Sequence, residues 1–240
     1  MDIYQLIERS KQSFEVDPQN LPCANNRVRL VHILANEKLL VEPVWKPPID
    51  HNEGFLYQDY IAKHPAYNSI FLREEVAHRL YQAVEHLPSH LQLVVRAGHR
   101  PVEVQVKALE TVIEKGLKEK NLRTYEAALE FARIFVDDPS IKIASHCCGS
   151  AVDVELYDKD KATFLDFGCF MNTESDEAYL HTTNITTVQK DNRLILLTAM
   201  LQAGFAPTCV EWWHFSYGDT VWAYFYKEPK SLYKIIEMKF

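Results

Sequence analysis

The stretch "SHCCGSAVDVELY" at residues 145–157 joins a strand pattern to a histidine and an aspartate that can bind a metal ion. Its last seven residues alternate between apolar and polar, which predicts a strand with Val152, Val154 and Leu156 on one face. Asp153 therefore lies on the opposite face. The stretch predicts a sheet strand that carries a carboxylate on the side away from its apolar residues.

Patterns on either side of this strand favour an α+β fold with a central, largely antiparallel sheet flanked by helices. Apolar residues recur at helical spacing from residue 74, and "LQLVVR" at 91–96 is typical of a buried strand. Another helix is predicted over 124–136, with Thr124 as its N-cap. Because helices and strands do not alternate regularly, the patterns favour this class over a parallel, doubly wound fold.

Further elements are predicted around Pro101 and in the C-terminal third. Pro101 is typical of a helix start, and the helix after it carries four apolar residues on one face, Val102, Val106, Leu109 and Ile113. "NRLILLTAMLQAG" at 192–204 predicts an apolar helix that ends at Gly204. "CVEWWHFS" at 209–216 and "VWAYFY" at 221–226 predict two more strands.

The chain, residues 1–240, is predicted to form a single domain, because no repeat or flexible linker divides it. A hydrophobic content of 47% is enough for a substantial core. Residues 1–70 have the least regular pattern. We expect them to form an N-terminal extension that packs on the core.

The charge pattern and the amino terminus limit the partners of the protein. The net charge is −7 and no cluster of Lys and Arg occurs, which argues against a nucleic-acid partner. "MDIYQLIERSKQSF" at 1–14 predicts an amphipathic helix rather than a secretory signal. No run reaches the roughly 18 apolar residues that a membrane span needs. We expect a cytoplasmic protein with no membrane partner, and the oligomeric state stays open.

The cysteines predict neither a disulfide framework nor a thiolate metal site. There are five of them, without the spacing of a disulfide scaffold, so reduced thiols are expected. Cys147 and Cys148 are adjacent, and neighbours in sequence cannot easily bind one ion. Neither is expected to be catalytic or a ligand.

Four residues in two separate stretches have the chemistry of a catalytic zinc site. His146 and Asp153 come from the first stretch, and Glu211 and His214 from "VEWWHFSYGD" at 210–219. Two imidazoles and one carboxylate suit zinc, with a position left open for reaction. On regular strands these residues would diverge, so a bend is needed, and Gly149 suits it. Spacing alone also permits a buried aromatic strand flanked by polar groups that are satisfied within the fold.

Three motifs together resemble a known family. They are His-x-x-Gly-x-Ala-x-Asp at 146–153, Glu-x-Trp-His at 211–214, and "GHRP" at 98–101, which has His99 where the family has another aromatic residue. In order and interval they resemble the zinc D-alanyl-D-alanine dipeptidases and carboxypeptidases of peptidase family M15, the vancomycin-resistance type in particular. The resemblance covers about residues 70–217. It implies a central antiparallel sheet with helices around it.

The resemblance also implies a role for each motif residue. His146, Asp153 and His214 would hold one Zn²⁺ per chain. Glu211 would take a proton from the attacking water and later deliver one to the leaving amine. Arg100 would stabilise the negative charge that develops on the carbonyl oxygen. The alternative without a catalytic role is that Arg100 forms a surface ion pair at a helix start.

The chain departs from these relatives at two positions that would bind substrate. A serine two residues before the first zinc histidine is Ala144 here, and Ser145 follows it. An aspartate that binds the free amino group of the dipeptide aligns with Asn172, which cannot pair charge. Ser145 and Asn172 are therefore the expected substrate-binding residues, and strict D-Ala-D-Ala specificity is not expected.

The sequence thus predicts a zinc metallopeptidase that hydrolyses a small peptide, D-Ala-D-Ala or a related D-amino dipeptide. One alternative is a D,D-carboxypeptidase that acts on peptidoglycan fragments. Another is a catalytically silent zinc-binding module like that of hedgehog-type signalling proteins, although Glu211 and Arg100 argue against it. An iron oxygenase would carry a His-x-Asp/Glu spacing that is missing around His146.

Overall fold

A computed structural model describes residues 3–15, 21–44 and 54–236. Within these ranges the chain forms seven α-helices and eight strands. The helices are α1 (Ile3–Glu15), α2 (Gly54–Lys63), α3 (Glu74–Ala83), α4 (Val102–Lys118), α5 (Tyr125–Phe135), α6 (Thr187–Gln202) and α7 (Thr220–Tyr226). The strands are β1 (Leu30–His32), β2 (Leu39–Val41), β3 (Phe71–Arg73), β4 (Leu91–Ala97), β5 (Ala151–Asp158), β6 (Thr163–Phe164), β7 (Ala206–Pro207) and β8 (His214–Ser216).

A six-stranded sheet organises the fold, in the order β2-β4-β5-β8-β7, with β6 also paired to β5. Only the β2–β4 pairing in this sheet is parallel, and the other pairs are antiparallel. A separate antiparallel pair is formed by β1 and β3. The predicted α+β class with a largely antiparallel sheet is confirmed.

The central strand β5 is buried on both faces. Val152, Val154 and Leu156 are fully buried in the hydrophobic core, as their alternation predicts. Asp153, on the other face, is also buried. Burying an aliphatic side chain contributes roughly 1.5–3 kcal/mol, so the apolar face holds the strand firmly while the opposite face carries the carboxylate.

Several helix boundaries follow the sequence closely. The hydroxyl of Thr124 accepts a hydrogen bond from Ala127 N and caps α5, as predicted. The predicted apolar helix is α6, which begins earlier than expected because Thr186 and Gln189 form a capping box. Gly204 follows it with φ +85°. No helix in the described part of the chain has both the length and the apolar character to span a membrane.

The prediction of a strand at 221–226 is wrong, because these residues form α7. The carboxylate of Asp219 accepts a hydrogen bond from Trp222 N at 2.8 Å and caps the helix. This cap and the burial of Trp222 and Phe225 override the strand propensity of the aromatic residues. The strand predicted at 209–216 is confirmed only for its last three residues, β8.

The predicted buried face of α4 is also partly wrong. Val102 and Val106 are 36% and 39% exposed. The buried face is formed instead by Val104, Gln105, Ala108, Leu109, Val112, Ile113 and Gly116. The helix has apolar residues on more than one side, so periodicity alone could not identify the side that faces α5.

The N-terminal part contributes to both sheets. β2 pairs with β4, and β1 pairs with β3. That residues 1–70 form an extension on a separate core stays a prediction.

A turn at Gly149 connects the first metal-binding motif to β5. Residues His146–Cys148 form a short 3₁₀ helix, and Gly149 ends it with φ +67°. The Gly149 carbonyl accepts a hydrogen bond from Arg73 N at 2.9 Å. The bend expected at this glycine is present, and it allows residues seven apart to face the same site.

We expect Gly149→Ala to lower the free energy of unfolding by about 1–2 kcal/mol or more. A left-handed conformation costs an L-residue this much, and a Cβ would lie 2.7 Å from Leu30 Cδ2. Urea denaturation measures the change. Gly116→Ala is the control, because Gly116 lies inside α4, where alanine favours the helix and the nearest atom is 3.2 Å away. Equal losses in the two variants would contradict the argument.

Candidate metal centre

Three side chains from two strands and one turn converge on a single point. The possible ligand atoms of His146, Asp153 and His214 all lie within 4.8 Å of one another, and all three residues are buried. Asp153 on β5 and His214 on β8 are direct partners in the sheet register. The Gly149 turn brings His146 to the same face. The three residues predicted from separate motifs are thus brought together.

The Asp153 carboxylate lies between the two imidazoles. Its Oδ2 is 3.2 Å from His146 Nε2, and its Oδ1 is 3.2 Å from His214 Nδ1. Two imidazole nitrogens and one carboxylate, buried together, form the donor set of a catalytic zinc site. The residues present therefore fit a zinc ion.

A backbone carbonyl orients the first histidine. His146 Nδ1 donates to Gly98 O at 2.8 Å, so His146 Nε2 is the nitrogen that faces Asp153. Gly98 can come this close because it has no side chain, since a Cβ there would lie 2.6 Å from Phe71 O. The glycine of the "GHRP" segment thus orients a candidate metal ligand in the other motif.

The ionised Asp153 carboxylate and the protonated His214 imidazole stabilise each other. Burial by itself would raise the pKa of Asp153, but His146 and His214 hold that pKa well below its ordinary value. Burial would likewise lower the pKa of His214, yet the Asp153 carboxylate raises it to about 9. The buried carboxylate thus favours positive charge at this point, as a metal site requires.

Glu211 lies beside the cluster because the chain turns just before β8. Glu211 Oε2 is 3.7 Å from His214 Nδ1. The tryptophans between them are core residues, and Trp212 stacks on Phe167 with ring centroids 4.0 Å apart. The spacing that looked wrong for a regular strand is explained, because residues 211–213 precede β8 and do not belong to a strand.

Arg100 is a buried side chain at the junction of β4 and α4, and only 5% of it is exposed. Its Nε donates to Tyr57 Oη at 3.1 Å, and its Nη1 donates to Gln105 Oε1 at 3.2 Å. Its backbone N donates to His146 O at 3.1 Å. Burial excludes the alternative of a surface ion pair, and the guanidinium is held in one orientation.

His99 supports this region from inside the core. Its Nδ1 lies 2.7 Å from Tyr67 Oη, and the ring is buried. Burial lowers the pKa of His99 to about 3, so its imidazole is neutral. We find no ligand position for His99 in the cluster that the described residues form.

One cavity contains every residue predicted for the site. It is lined by Arg100, Ser145, His146, Asp153, Asn172, Glu211 and His214, among others. Ala144, by contrast, is fully buried in the core. Asn172 adopts a left-handed conformation with φ +61°, which asparagine tolerates better than most residues.

Charged residues that the sequence analysis did not single out also line the cavity. They include Asp137, Lys142 and Glu174. Asp137 Oδ2 accepts a hydrogen bond from Ser145 N at 3.1 Å. Asp137 lies in a stretch whose pattern indicates only the end of a helix. Its contact with Ser145 spans a loop of a few residues, and no spacing in the sequence predicts that contact.

Cys147 and Cys148 are buried beside His146 but lie outside the metal cluster. Burial raises the pKa of Cys147 to about 12, which keeps its thiol protonated and unreactive. None of the five cysteines forms a disulfide bond.

The family model Peptidase_M15, described as D-Ala-D-Ala dipeptidase, matches residues 52–232, which is more than half of the chain. A comparison with curated proteins found no match.

We expect His146→Ala and His214→Ala each to lose stoichiometric zinc, because two remaining protein ligands leave an incomplete coordination shell. Metal analysis of purified protein after dialysis against zinc measures the ratio of metal to chain. His86→Ala is the control, since His86 is exposed and is not one of the three residues of the cluster. Full zinc content in either cluster variant would exclude that histidine as a ligand.

Proposed function

The chain belongs to the Peptidase_M15 family, and from this premise we propose that it is a zinc-dependent peptidase that hydrolyses a D-amino dipeptide, D-Ala-D-Ala or a close relative. The observation that carries the proposal is the buried His146, Asp153 and His214 cluster, which shares one cavity with Glu211 and Arg100. A zinc peptidase uses a metal, a proton carrier and a charge-stabilising donor, and this cavity offers side chains for all three.

We assign one zinc ion per chain to His146, Asp153 and His214. When bound, zinc supplies Lewis acidity, which polarises a carbonyl and lowers the pKa of water. Gly98 orients His146 through its carbonyl, so the site is supported from outside the ligand set.

Glu211 is proposed as the proton carrier. Its carboxylate takes a proton from the attacking water and then delivers one to the nitrogen of the departing amine. Its Oε2 lies 3.7 Å from a ring nitrogen of His214, so the carboxylate is next to the proposed metal ligands without belonging to them.

Arg100 is proposed to stabilise negative charge on the carbonyl oxygen as the water adds. A guanidinium stays protonated and presents donors in a fixed plane. Tyr57 and Gln105 already hold two of its nitrogens. This preorganisation means that little reorientation is needed when charge develops.

Ser145 and Asn172 are proposed to contact the substrate, since both line the cavity. The charge at the expected amino-binding position is missing, because Asn172 is neutral. Glu174 also lines the cavity, but Lys115 pairs with it at 2.7 Å. Weak recognition of a free amino group favours, as second candidate, a D,D-carboxypeptidase whose substrates are longer peptidoglycan fragments.

A hydrolysis screen tests the proposed function directly. Zinc-loaded protein is incubated with D,D-, L,D- and L,L-dipeptides and with an N-acylated D-Ala-D-Ala, and the released amine is measured. Cleavage of the D,D-compounds supports the proposal, and preference for the acylated one supports the second candidate. A protein that binds zinc and cleaves none of these peptides would be a silent binding module.

We expect Glu211→Gln to retain zinc while kcat falls by about 10²–10⁴-fold, because an amide cannot accept the proton of water. Metal content and turnover are measured on the same preparation. The zinc content shows that the ligand set is intact. Turnover near that of the unchanged protein would give the proton-carrier role to another group.

We expect Asn172→Asp to improve kcat/KM for D-Ala-D-Ala and scarcely to affect the N-acylated substrate. A carboxylate can form a charge-assisted hydrogen bond to the ammonium, roughly twice as strong as a neutral one. Both substrates are measured on both proteins. If the substitution changes the two substrates equally, Asn172 does not contact the amino end of the substrate.

A further inference from the structure

Two lysine–carboxylate ion pairs lie at the cavity, and only one of them places its cation in the cavity wall. Lys142 Nζ is 2.5 Å from Asp137 Oδ1, and both residues line the cavity. In the other pair, Glu174 lines the cavity and Lys115 does not. Among the described residues, Lys142 and Arg100 are therefore the only lysine or arginine side chains in the cavity wall.

Lys142 keeps its positive charge although its side chain is only 24% exposed. The Asp137 carboxylate raises the pKa of Lys142, and this effect exceeds the lowering by burial. Burial works against ionisation of Asp137 too, but Lys142 and the backbone N–H of Ser145 keep the pKa of Asp137 below its ordinary value. Both partners are thus ionised.

The pair is tied to the metal-binding motif. Asp137 Oδ1 contacts Lys142, and Asp137 Oδ2 accepts from Ser145 N, which directly precedes His146. This chain of contacts fixes the position of the ammonium group relative to the proposed metal ligands.

The remaining charges of the cavity wall restrict where an anion can bind. Asp137, Glu174 and Glu211 are acidic and repel a carboxylate. Arg100 already donates from two nitrogens and is assigned to the carbonyl oxygen. Lys142 is thus the wall residue best suited to a second negative group of the substrate.

We propose that Lys142 binds the terminal carboxylate of the substrate and is a specificity-determining residue of this site. The inference rests on the proposed function and deepens it. The substrate class is a peptide whose scissile bond is followed by one residue with a free carboxylate. Peptides that end in an amide are poor substrates.

The test compares D-Ala-D-Ala with D-alanyl-D-alaninamide, which differs only in carrying a neutral amide in place of the terminal carboxylate. We expect Lys142→Met to raise KM for D-Ala-D-Ala by about 10- to 100-fold, as loss of a hydrogen bond to a charged group does. KM for the amide and kcat for both peptides are expected to change less than threefold. Lys142→Arg is expected to restore most of the preference for the carboxylate.

Lys115→Met is the matched control. It also removes the cation of a partly buried ion pair, but Lys115 does not line the cavity. It is expected to leave the ratio of the two KM values unchanged. If Lys142→Met folds poorly because Asp137 is left without its partner, the double variant Asp137→Asn/Lys142→Met removes the pair as a unit.

Calorimetry separates this inference from the proposed function. Binding of both peptides is measured with zinc-loaded Glu211→Gln protein, with and without Lys142→Met. Tighter binding of D-Ala-D-Ala than of its amide, lost in Lys142→Met, supports the carboxylate role even if turnover is never found. Equal affinity for the two peptides, or a preference that survives Lys142→Met, overturns it.

Discussion

The carboxylate of Asp153, buried in the central strand, is the constraint on which the rest of the site depends. A buried charge costs several kcal/mol unless positive or hydrogen-bonding partners surround it. The antiparallel register supplies one partner, since His214 lies directly opposite on β8. The Gly149 turn supplies the other by returning His146 to the same face. The sheet register and the turn at Gly149 thus each place one histidine beside the buried Asp153 carboxylate.

Where the structure at a residue depends on its neighbours in the chain, the sequence was sufficient to predict that structure. The alternation in β5 and the cap at Thr124 depend on neighbours in the chain, and both predictions are confirmed. The helix at 220–226 shows the limit. Its aromatic residues favour a strand, but the Asp219 cap and burial against the core decide the structure. The buried side of α4 was likewise set by tertiary packing.

The residues of the site likewise fall into two groups, those that the sequence could predict and those that it could not. The metal-ligand motifs could be recognised because several residues stand at a characteristic spacing, and their convergence follows from the sheet. The partners that orient these motifs had no such signal. Tyr57 lies 43 residues from Arg100, and Lys142 reaches the cavity through its pair with Asp137. The Tyr57–Arg100 contact joins distant segments and the Asp137–Lys142 pair spans a short loop, and one sequence contains no periodicity that could reveal either.

The charges of the cavity suggest how the selectivity of this chain differs between the two ends of its substrate. At the proposed amino end, Asn172 has no charge and Glu174 is paired with Lys115, so a free ammonium would gain little. In the wall of the same cavity, the Asp137–Lys142 pair places a cation. Both members of the Asp137–Lys142 pair line the cavity, whereas only the carboxylate member of the Lys115–Glu174 pair does, so a cation reaches the wall from the first pair alone. Under the proposed function, selectivity for the carboxyl end would need no change in the His146, Asp153 and His214 cluster, because Lys142 and the Lys115 partner of Glu174 both lie outside it.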